Sequence, residues 1–111
     1  MSRITPKESI EVVDRLGDIT ALARSLSDEN RLRILVYLAD GKQSVSRIVE
    51  ELQLSQPLVS HHLKELKRCL LVNVERNGPF IYYELADPRI LHILKDLAAI
   101  GEELLANRKT L

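Results

Sequence analysis

The spacing of apolar residues changes along the chain, and this change restricts the fold more than any other feature. Up to Leu70 the apolar residues recur every three or four positions, which is the period of an amphipathic helix. From there to Tyr83 they fall in short β-branched or aromatic runs on either side of Arg-Asn-Gly-Pro. This pattern predicts a β-hairpin with Asn77-Gly78 at its tip. After Asp87 the helical spacing returns, so the hairpin interrupts a chain of helices.

Local capping and stop signals predict five helices. The strongest signal is Thr5-Pro6-Lys7-Glu8, a capping box with proline at the first helical position. The predicted helices are about 6–26, from the Ser27-Asp28 cap to Gly41, Ser44 to Leu52, from the Ser55 cap to Leu70, and about 88–106. Four helices, a hairpin and a helix predict a mainly α fold with a β-hairpin wing. We therefore expect a single winged helix-turn-helix domain over residues 1–111.

The composition excludes several classes of protein. The 16 basic residues balance the 16 acidic ones, so a nucleic-acid interface must be a local patch of positive charge. The single cysteine cannot form an internal disulfide or a thiolate metal cluster. No apolar run approaches the roughly 20 residues that cross a bilayer, which predicts a cytoplasmic protein without a membrane partner. The chain carries no phosphate-binding glycine loop and no nucleophile–base pair, so we expect no enzymatic activity.

The fourth helix has two distinct faces when its residues are placed about 100° apart around the axis. The buried stripe comprises Val59, Leu63, Leu66 and Leu70. His62 lies on the flank of that stripe, where we expect a partly buried structural histidine. The opposite face is polar, and a recognition helix presents such a face to the DNA major groove. The predicted base contacts are Gln56, Ser60 and His61, and the predicted phosphate contacts are Ser55, Lys64, Lys67, Arg68 and, in the wing, Arg76.

Two other interpretations of this helix are open. A metal site is disfavoured, because ligands on one helix need a spacing of three or four residues and the histidines are adjacent. A winged helix can also be a protein-interaction module without specific DNA binding. The zero net charge favours that alternative. Such a module would carry apolar or aromatic groups at Gln56, Ser60 and Lys64.

The first and last helices carry apolar stripes that are longer than a small core can cover. We therefore predict a homodimer in which helices 6–26 and 88–106 of two protomers pack together. The predicted interface residues are Leu16, Ile19, Ile90, Leu94 and Leu97.

Three motifs in residues 26–85 resemble the ArsR/SmtB family of bacterial transcriptional repressors. They are NRLRIL, LSQPLVSHHLKEL and the YYEL that ends the wing. The resemblance implies a homodimer that binds an inverted-repeat operator in double-stranded DNA and leaves it when a ligand binds. It also implies that the base-contacting positions of the family correspond to Gln56, Ser60 and His61.

The metal sites of that family are not matched in this sequence. Ser44-Val45-Ser46 stands where many of its metal sensors have Cys-Val-Cys, and serine hydroxyls do not replace thiolates for soft ions. In the second site Arg89 replaces a histidine after Asp87, and the later pair is Ile100 and Glu103. We therefore expect no metal and no cofactor, and the signal that releases the operator stays unidentified.

Cys69 is the candidate for a redox response. On the helical wheel it lies close to His62, and a thiolate beside an imidazolium is prone to oxidation or persulfidation. The alternative is a small buried residue that closes the fourth helix. His92 has no evident partner in the sequence, and we expect it to be exposed.

Overall fold

The computed structural model describes residues 4–108, so the ends of the predicted 1–111 domain lie outside the described residues. The helices are α1 (Pro6–Val13), α2 (Leu16–Ser25), α3 (Glu29–Leu38), α4 (Val45–Leu52), α5 (Gln56–Arg68) and α6 (Arg89–Ala106). The strands are β1 (Gln43–Ser44), β2 (Val72–Asn77) and β3 (Phe80–Leu85). Helices α4 and α5 form the helix-turn-helix, and β2 with β3 forms the wing. The predicted mainly α winged helix is confirmed.

Side-chain caps fix the starts of the helices that were predicted from capping signals. The Thr5 hydroxyl accepts a hydrogen bond from the Glu8 backbone N–H at 3.1 Å, and the Glu8 carboxylate accepts one from the Thr5 N–H at 2.7 Å. The side chains of Asp28, Ser44 and Ser55 cap α3, α4 and α5, each by accepting a hydrogen bond from the backbone N–H three residues later. Each cap satisfies a backbone donor that has no partner within its helix.

The predicted helix 6–26 is in fact two helices, with a break at Asp14-Arg15. At the break the Arg15 N–H donates to the Val12 carbonyl at 3.0 Å, three residues back instead of four. None of the eight residues of α1 is buried, so no packing within the protomer holds α1 in line with α2. Gly17 in the first turn of α2 further weakens helix propensity there. The apolar spacing continues across the break, which is why the sequence pattern does not reveal it.

The sheet contains one more strand than the sequence predicts. Its order is β1-β3-β2, and both pairs are antiparallel. The wing turn lies one residue later than predicted, because Asn77 pairs with Phe80 and leaves Gly78-Pro79 as the two-residue loop. Gly78 has a φ of +61°, and proline cannot adopt a positive φ. A positive φ at the first loop position alone is the combination found in type II′ hairpin turns.

A single hydrophobic core lies among α3, α4, α5 and the base of the wing. Its buried residues are Ile34, Leu35, Leu38, Ile48, Val59, Leu63, Leu66, Leu71, Val72 and Ile90. The predicted α5 stripe is confirmed for Val59, Leu63 and Leu66, which are at most 1% exposed. Leu70 is a correction, because it follows the end of α5 and its side chain is 80% exposed.

The terminal helices leave most of their apolar side chains uncovered. Among the described residues, α2 buries only Ser25 and α6 buries only Ile90. The exposed apolar residues on these helices are Ile10, Val12, Val13, Leu16, Ile19, Leu22, Ile93, Leu97, Ile100, Leu104 and Leu105. Within residues 4–108, no helix is both long enough and apolar enough to span a membrane.

The predicted interface residues divide into two groups. Leu16, Ile19 and Leu97 are exposed, so they are available to a partner. Ile90 is only 8% exposed and belongs to the protomer's own core, and Leu94 packs against that core. Ile90 is therefore corrected to a core residue, since little of its surface remains for a second chain.

Leu70 carries backbone strain that a single substitution should relieve. Its φ is +61°, and it follows α5 where the Leu71 N–H donates to the Leu66 carbonyl at 2.9 Å, as in a Schellman motif. A left-handed conformation costs a non-glycine residue about 1–2 kcal/mol, and the extra entropy of glycine offsets about 0.5–1 kcal/mol. We expect Leu70→Gly to raise the free energy of unfolding by about 0.5–1 kcal/mol in urea titrations at one fixed protein concentration. Leu70→Ala is the matched control, because it removes the same exposed side chain and keeps the strain. A glycine variant no more stable than the alanine variant would contradict the strain.

Candidate nucleic-acid interface

Helix α5 presents a polar face opposite its core face. Gln56 occupies the first helical position after the Ser55 cap, so its side chain lies at the exposed N-terminal end. Ser60, His61 and Lys64 are also exposed, on the side away from the core. The sequence-predicted base contacts therefore share one solvent-facing surface, which we call the reading face.

The two adjacent histidines occupy different environments, as the helical wheel predicts. His61 is exposed, whereas His62 is 5% exposed and lies in the interior. Their ring centroids are 5.5 Å apart. Because the rings point to different sides of α5, the pair does not present two ligands to one ion.

A groove of about 460 Å³ runs between α5 and the wing. Gln56, Ser60 and Lys64 of the reading face form one wall. The other wall consists of wing residues, principally Phe80, Ile81 and Tyr83, and the start of α4 contributes Ser44 and Ser46. The hydroxyl oxygens of these two serines are 3.2 Å apart. The groove is therefore polar along α5 and apolar along the wing.

Arg76 projects from the side of the wing that faces this groove. It pairs with Ile81 across the hairpin, and residues directly opposite each other in an antiparallel pair project from the same face of the sheet. Ile81 lines the groove, and Arg76 lies on the same face of the wing near its tip, outside the groove lining. This geometry suits the predicted phosphate contact.

Glu75, whose charge would oppose that of Arg76, is neutralised by a residue that the sequence did not single out. Glu75 lies opposite Tyr82 on the other side of the wing and forms an ion pair with Lys42. The Glu75 carboxylate raises the pKa of Lys42. The Lys42 ammonium also lies 6.0 Å from the centroid of the Tyr82 ring. No local signal could have found this pair, because the two residues are 33 positions apart and meet only through the sheet.

The other predicted phosphate contacts differ in how available their polar groups are. The Ser55 hydroxyl already accepts a hydrogen bond from the Leu58 N–H at 3.3 Å, which leaves its own proton to donate. Lys64 and Lys67 are exposed. Arg68 forms an ion pair with Glu65, so part of its charge is already compensated. Contacts from these residues to DNA stay predictions.

Cys69 lies at the end of α5 in a second cavity of about 310 Å³, away from the groove. Arg24, Arg31 and Arg68 line this cavity, and His62 is not among its lining residues. Cys69 is half-buried and packs against the core. Cys69 therefore shares its cavity with three arginines, and a redox role for Cys69 stays a prediction.

Two of the positions that correspond to a metal site in the resembled family, Asp87 and Arg89, pair with each other. Asp87 pairs with Arg89 at 2.7 Å between Oδ2 and the guanidinium, and hydrogen bonds from Arg89 lower the pKa of Asp87 to about 2. Across residues 4–108, no three His, Cys, Asp or Glu side chains are grouped closely enough to hold a metal ion.

A recognition helix with a polar reading face, placed beside a β-hairpin wing, defines a winged helix-turn-helix DNA-binding protein. Residues 28–74 match the family described as bacterial regulatory protein, arsR family. The transcriptional repressor SmtB of Mycobacterium tuberculosis is 38% identical over 93 residues, which cover 84% of this chain and 67% of SmtB. The chain belongs to the arsR family of bacterial regulatory proteins.

Solved structures agree with this assignment. The transcriptional repressor BigR from Xylella fastidiosa superposes with a TM-score of 0.75 at 26% identity, covering 86% of this chain and 96% of BigR. Reduced HlyU from Vibrio cholerae gives a TM-score of 0.72 at 29% identity, covering 81% and 95% of the two chains. The chain is accordingly a DNA-binding transcriptional regulator and not an enzyme. The protein-interaction alternative is not favoured, since Gln56, Ser60 and Lys64 are polar where it requires apolar groups.

Proposed function

We propose that this chain is a cytoplasmic repressor that binds an inverted-repeat operator as a homodimer, with α5 of each protomer in the major groove. The observation that carries the proposal is the reading face, where Gln56, Ser60 and His61 are exposed together at the N-terminal half of α5. In helix-turn-helix proteins this end of the recognition helix meets the base edges.

The side chains of the reading face fit this task chemically. The Gln56 amide carries a donor and an acceptor, which match N6 and N7 of adenine in a bidentate pair. The Ser60 hydroxyl and the His61 ring can each donate or accept, so they can serve several bases. Three short polar side chains on one helix can therefore distinguish sequences, which charge alone cannot do.

Phosphate contacts would hold the duplex against this face from both sides. We assign Lys64, Lys67 and Arg68 to the α5 side, Ser55 to the helix cap and Arg76 to the wing. Lys64 lines the groove, and the ion pair with Lys42 compensates the charge of Glu75 on the wing. A chain with zero net charge can then offer DNA a locally positive surface.

The homodimer rests on the uncovered apolar surface of the terminal helices. Leu16, Ile19 and Leu97 are 51%, 45% and 54% exposed on α2 and α6. A second copy of the same helices would cover this surface in a two-fold arrangement. A two-fold dimer presents two reading faces, and such a dimer matches an operator whose half-sites are inverted.

A fluorescence anisotropy titration tests the proposal. The reduced protein is titrated at one stated salt concentration against the DNA upstream of its own gene and against a scrambled duplex of equal length. We expect the upstream DNA to bind at least about 100-fold more tightly, since specific sites exceed random DNA by about 10³–10⁷-fold in such proteins. Equal affinity for the two duplexes would contradict an operator in that DNA, and a genome-wide selection of bound fragments would then locate a distant one or exclude it.

A further inference from the structure

His62 is a buried polar residue on the recognition helix that the reading face does not use. It is 5% exposed, and its Nε2 lies 3.6 Å from Oδ1 of Asp28. Its Nδ1 is fully buried and has no hydrogen-bond partner among residues 4–108. The Nε2–Oδ1 separation is longer than a hydrogen bond but places a polar ring nitrogen beside a carboxylate, and the unpartnered Nδ1 is costly to bury, so His62 is not an inert core residue.

Asp28, which lies beside the His62 ring, is held in place by a hydrogen bond of its own. Asp28 is the N-cap of α3, and its Oδ1 accepts a hydrogen bond from the Arg31 N–H at 3.0 Å. That hydrogen bond lowers the pKa of Asp28, which keeps the carboxylate charged. The contact therefore joins the recognition helix to a fixed point at the start of α3.

We infer that His62 is a positioning residue for operator recognition: its contact with Asp28 sets the rotation of α5 about its axis and so aims Gln56 and Ser60 at the bases. This inference rests on the proposed function. The other residues that seat α5 are Val59, Leu63 and Leu66, which are apolar. Close packing of these side chains limits the rotation of α5, and the polar contact with Asp28 restrains it further.

The geometry of a helix gives the size of the effect. Side-chain tips lie about 5–6 Å from the helix axis, so a rotation of about 10° moves them by about 1 Å. Hydrogen bonds to base edges tolerate only a few tenths of an ångström. A small rotation of α5 would therefore weaken base contacts while leaving phosphate contacts nearly unchanged.

The charged groups around His62 predict how the stability of the fold depends on pH. Asp28 and Arg31 face it from α3, and His61 is its neighbour on α5. Burial lowers the pKa of His62, so the ring is neutral at pH 7. Protonation would create a buried Nδ1–H without an acceptor. Since the unfolded chain takes up this proton more readily, stability should fall as the pH drops below about 6.5, the ordinary histidine value.

The experiment compares His62→Phe, His62→Gln and Asp28→Ser with the unmodified dimer on operator and scrambled DNA. Phenylalanine keeps an aromatic ring and removes the contact, whereas glutamine keeps a donor near the Nε2 position. The Asp28→Ser change retains a helix-cap oxygen and removes the carboxylate that His62 contacts. The matched control is His92→Phe, the same change at an exposed position on α6.

We expect His62→Phe to lower the preference for operator over scrambled DNA about tenfold with unchanged affinity for scrambled DNA, and His62→Gln to restore most of it. Between pH 7 and 5.5 the urea midpoint of the unmodified protein should fall more than that of His62→Gln, because only the unmodified protein has a buried ring at this position to protonate. An unchanged preference in His62→Phe overturns the inference, as does an equal loss on both duplexes.

If His62→Phe does not unfold cooperatively, Asp28→Ser decides the question, with a reduced preference supporting the contact and an unchanged one refuting it. Absence of any preference in the unmodified protein is a different result, because it contradicts the proposed function itself.

Discussion

Leu97→Glu should convert the repressor to monomers and lower its operator affinity at least about 100-fold. Leu97 is 54% exposed on α6 and lies outside the protomer's own core, so a glutamate there can remain solvated in the monomer. In the dimer two such carboxylates would be buried in an apolar interface, which is costly for unpaired charges. Each half-site alone binds weakly, and linking two binding modules contributes about 10²–10⁴-fold.

Sedimentation velocity and the anisotropy titration measure the two parts of this prediction. His92→Glu is the matched control, since it adds the same carboxylate at an exposed position of α6 outside the apolar stripe. Far-UV circular dichroism of the variant verifies that the protomer is still folded. A Leu97→Glu protein that sediments as a dimer would show that α6 does not form the interface that we propose.

Gln56→Ala should abolish much of the discrimination between operator and scrambled DNA. A bidentate contact to a base contributes about 1–3 kcal/mol, and the loss should apply to each half-site because both protomers carry the change. Affinity for scrambled DNA should change little, since Gln56 has no charge to offer phosphates. Gln56 is exposed and makes no core contact, so the fold should tolerate the substitution.

Lys64→Ala is the informative comparison, because Lys64 lies on the same face and is assigned to phosphate. This change should weaken binding to both duplexes by a similar factor and reduce the salt dependence of the affinity. Lys95→Ala controls for the loss of a lysine elsewhere, on α6. Equal losses on both duplexes for Gln56→Ala would remove the base-reading role from that residue.

Features that depend on neighbouring residues were predictable, and those that depend on distant ones were not. The caps at Asp28 and Ser55 are local, so they could be read from the sequence. The strand β1 exists only because Gln43 pairs with Tyr83, and the sequence of a two-residue segment does not predict that pairing. The break at Asp14-Arg15 was missed for a different reason: it reflects packing that α1 does not have.

The same division applies to the candidate site. Helical periodicity was enough to separate exposed His61 from buried His62, because burial on one helix follows from residue spacing. The Arg68–Glu65 pair has a local spacing of three and could have been anticipated. The Lys42–Glu75 pair could not, and neither could the 3.6 Å contact from His62 to Asp28, since both join separate elements.

The three terminal helices that pack so little on their own protomer also determine how the protein should respond to its own abundance. A chain that completes its fold by pairing is governed by mass action, so its melting temperature should rise with concentration. When the protein is scarce, the concentration of the DNA-binding dimer then rises with the square of the total concentration of the chain. Operator occupancy becomes a threshold function of expression, and a modest dilution of the protein, such as that after cell division, would release more operator than a monomeric repressor would.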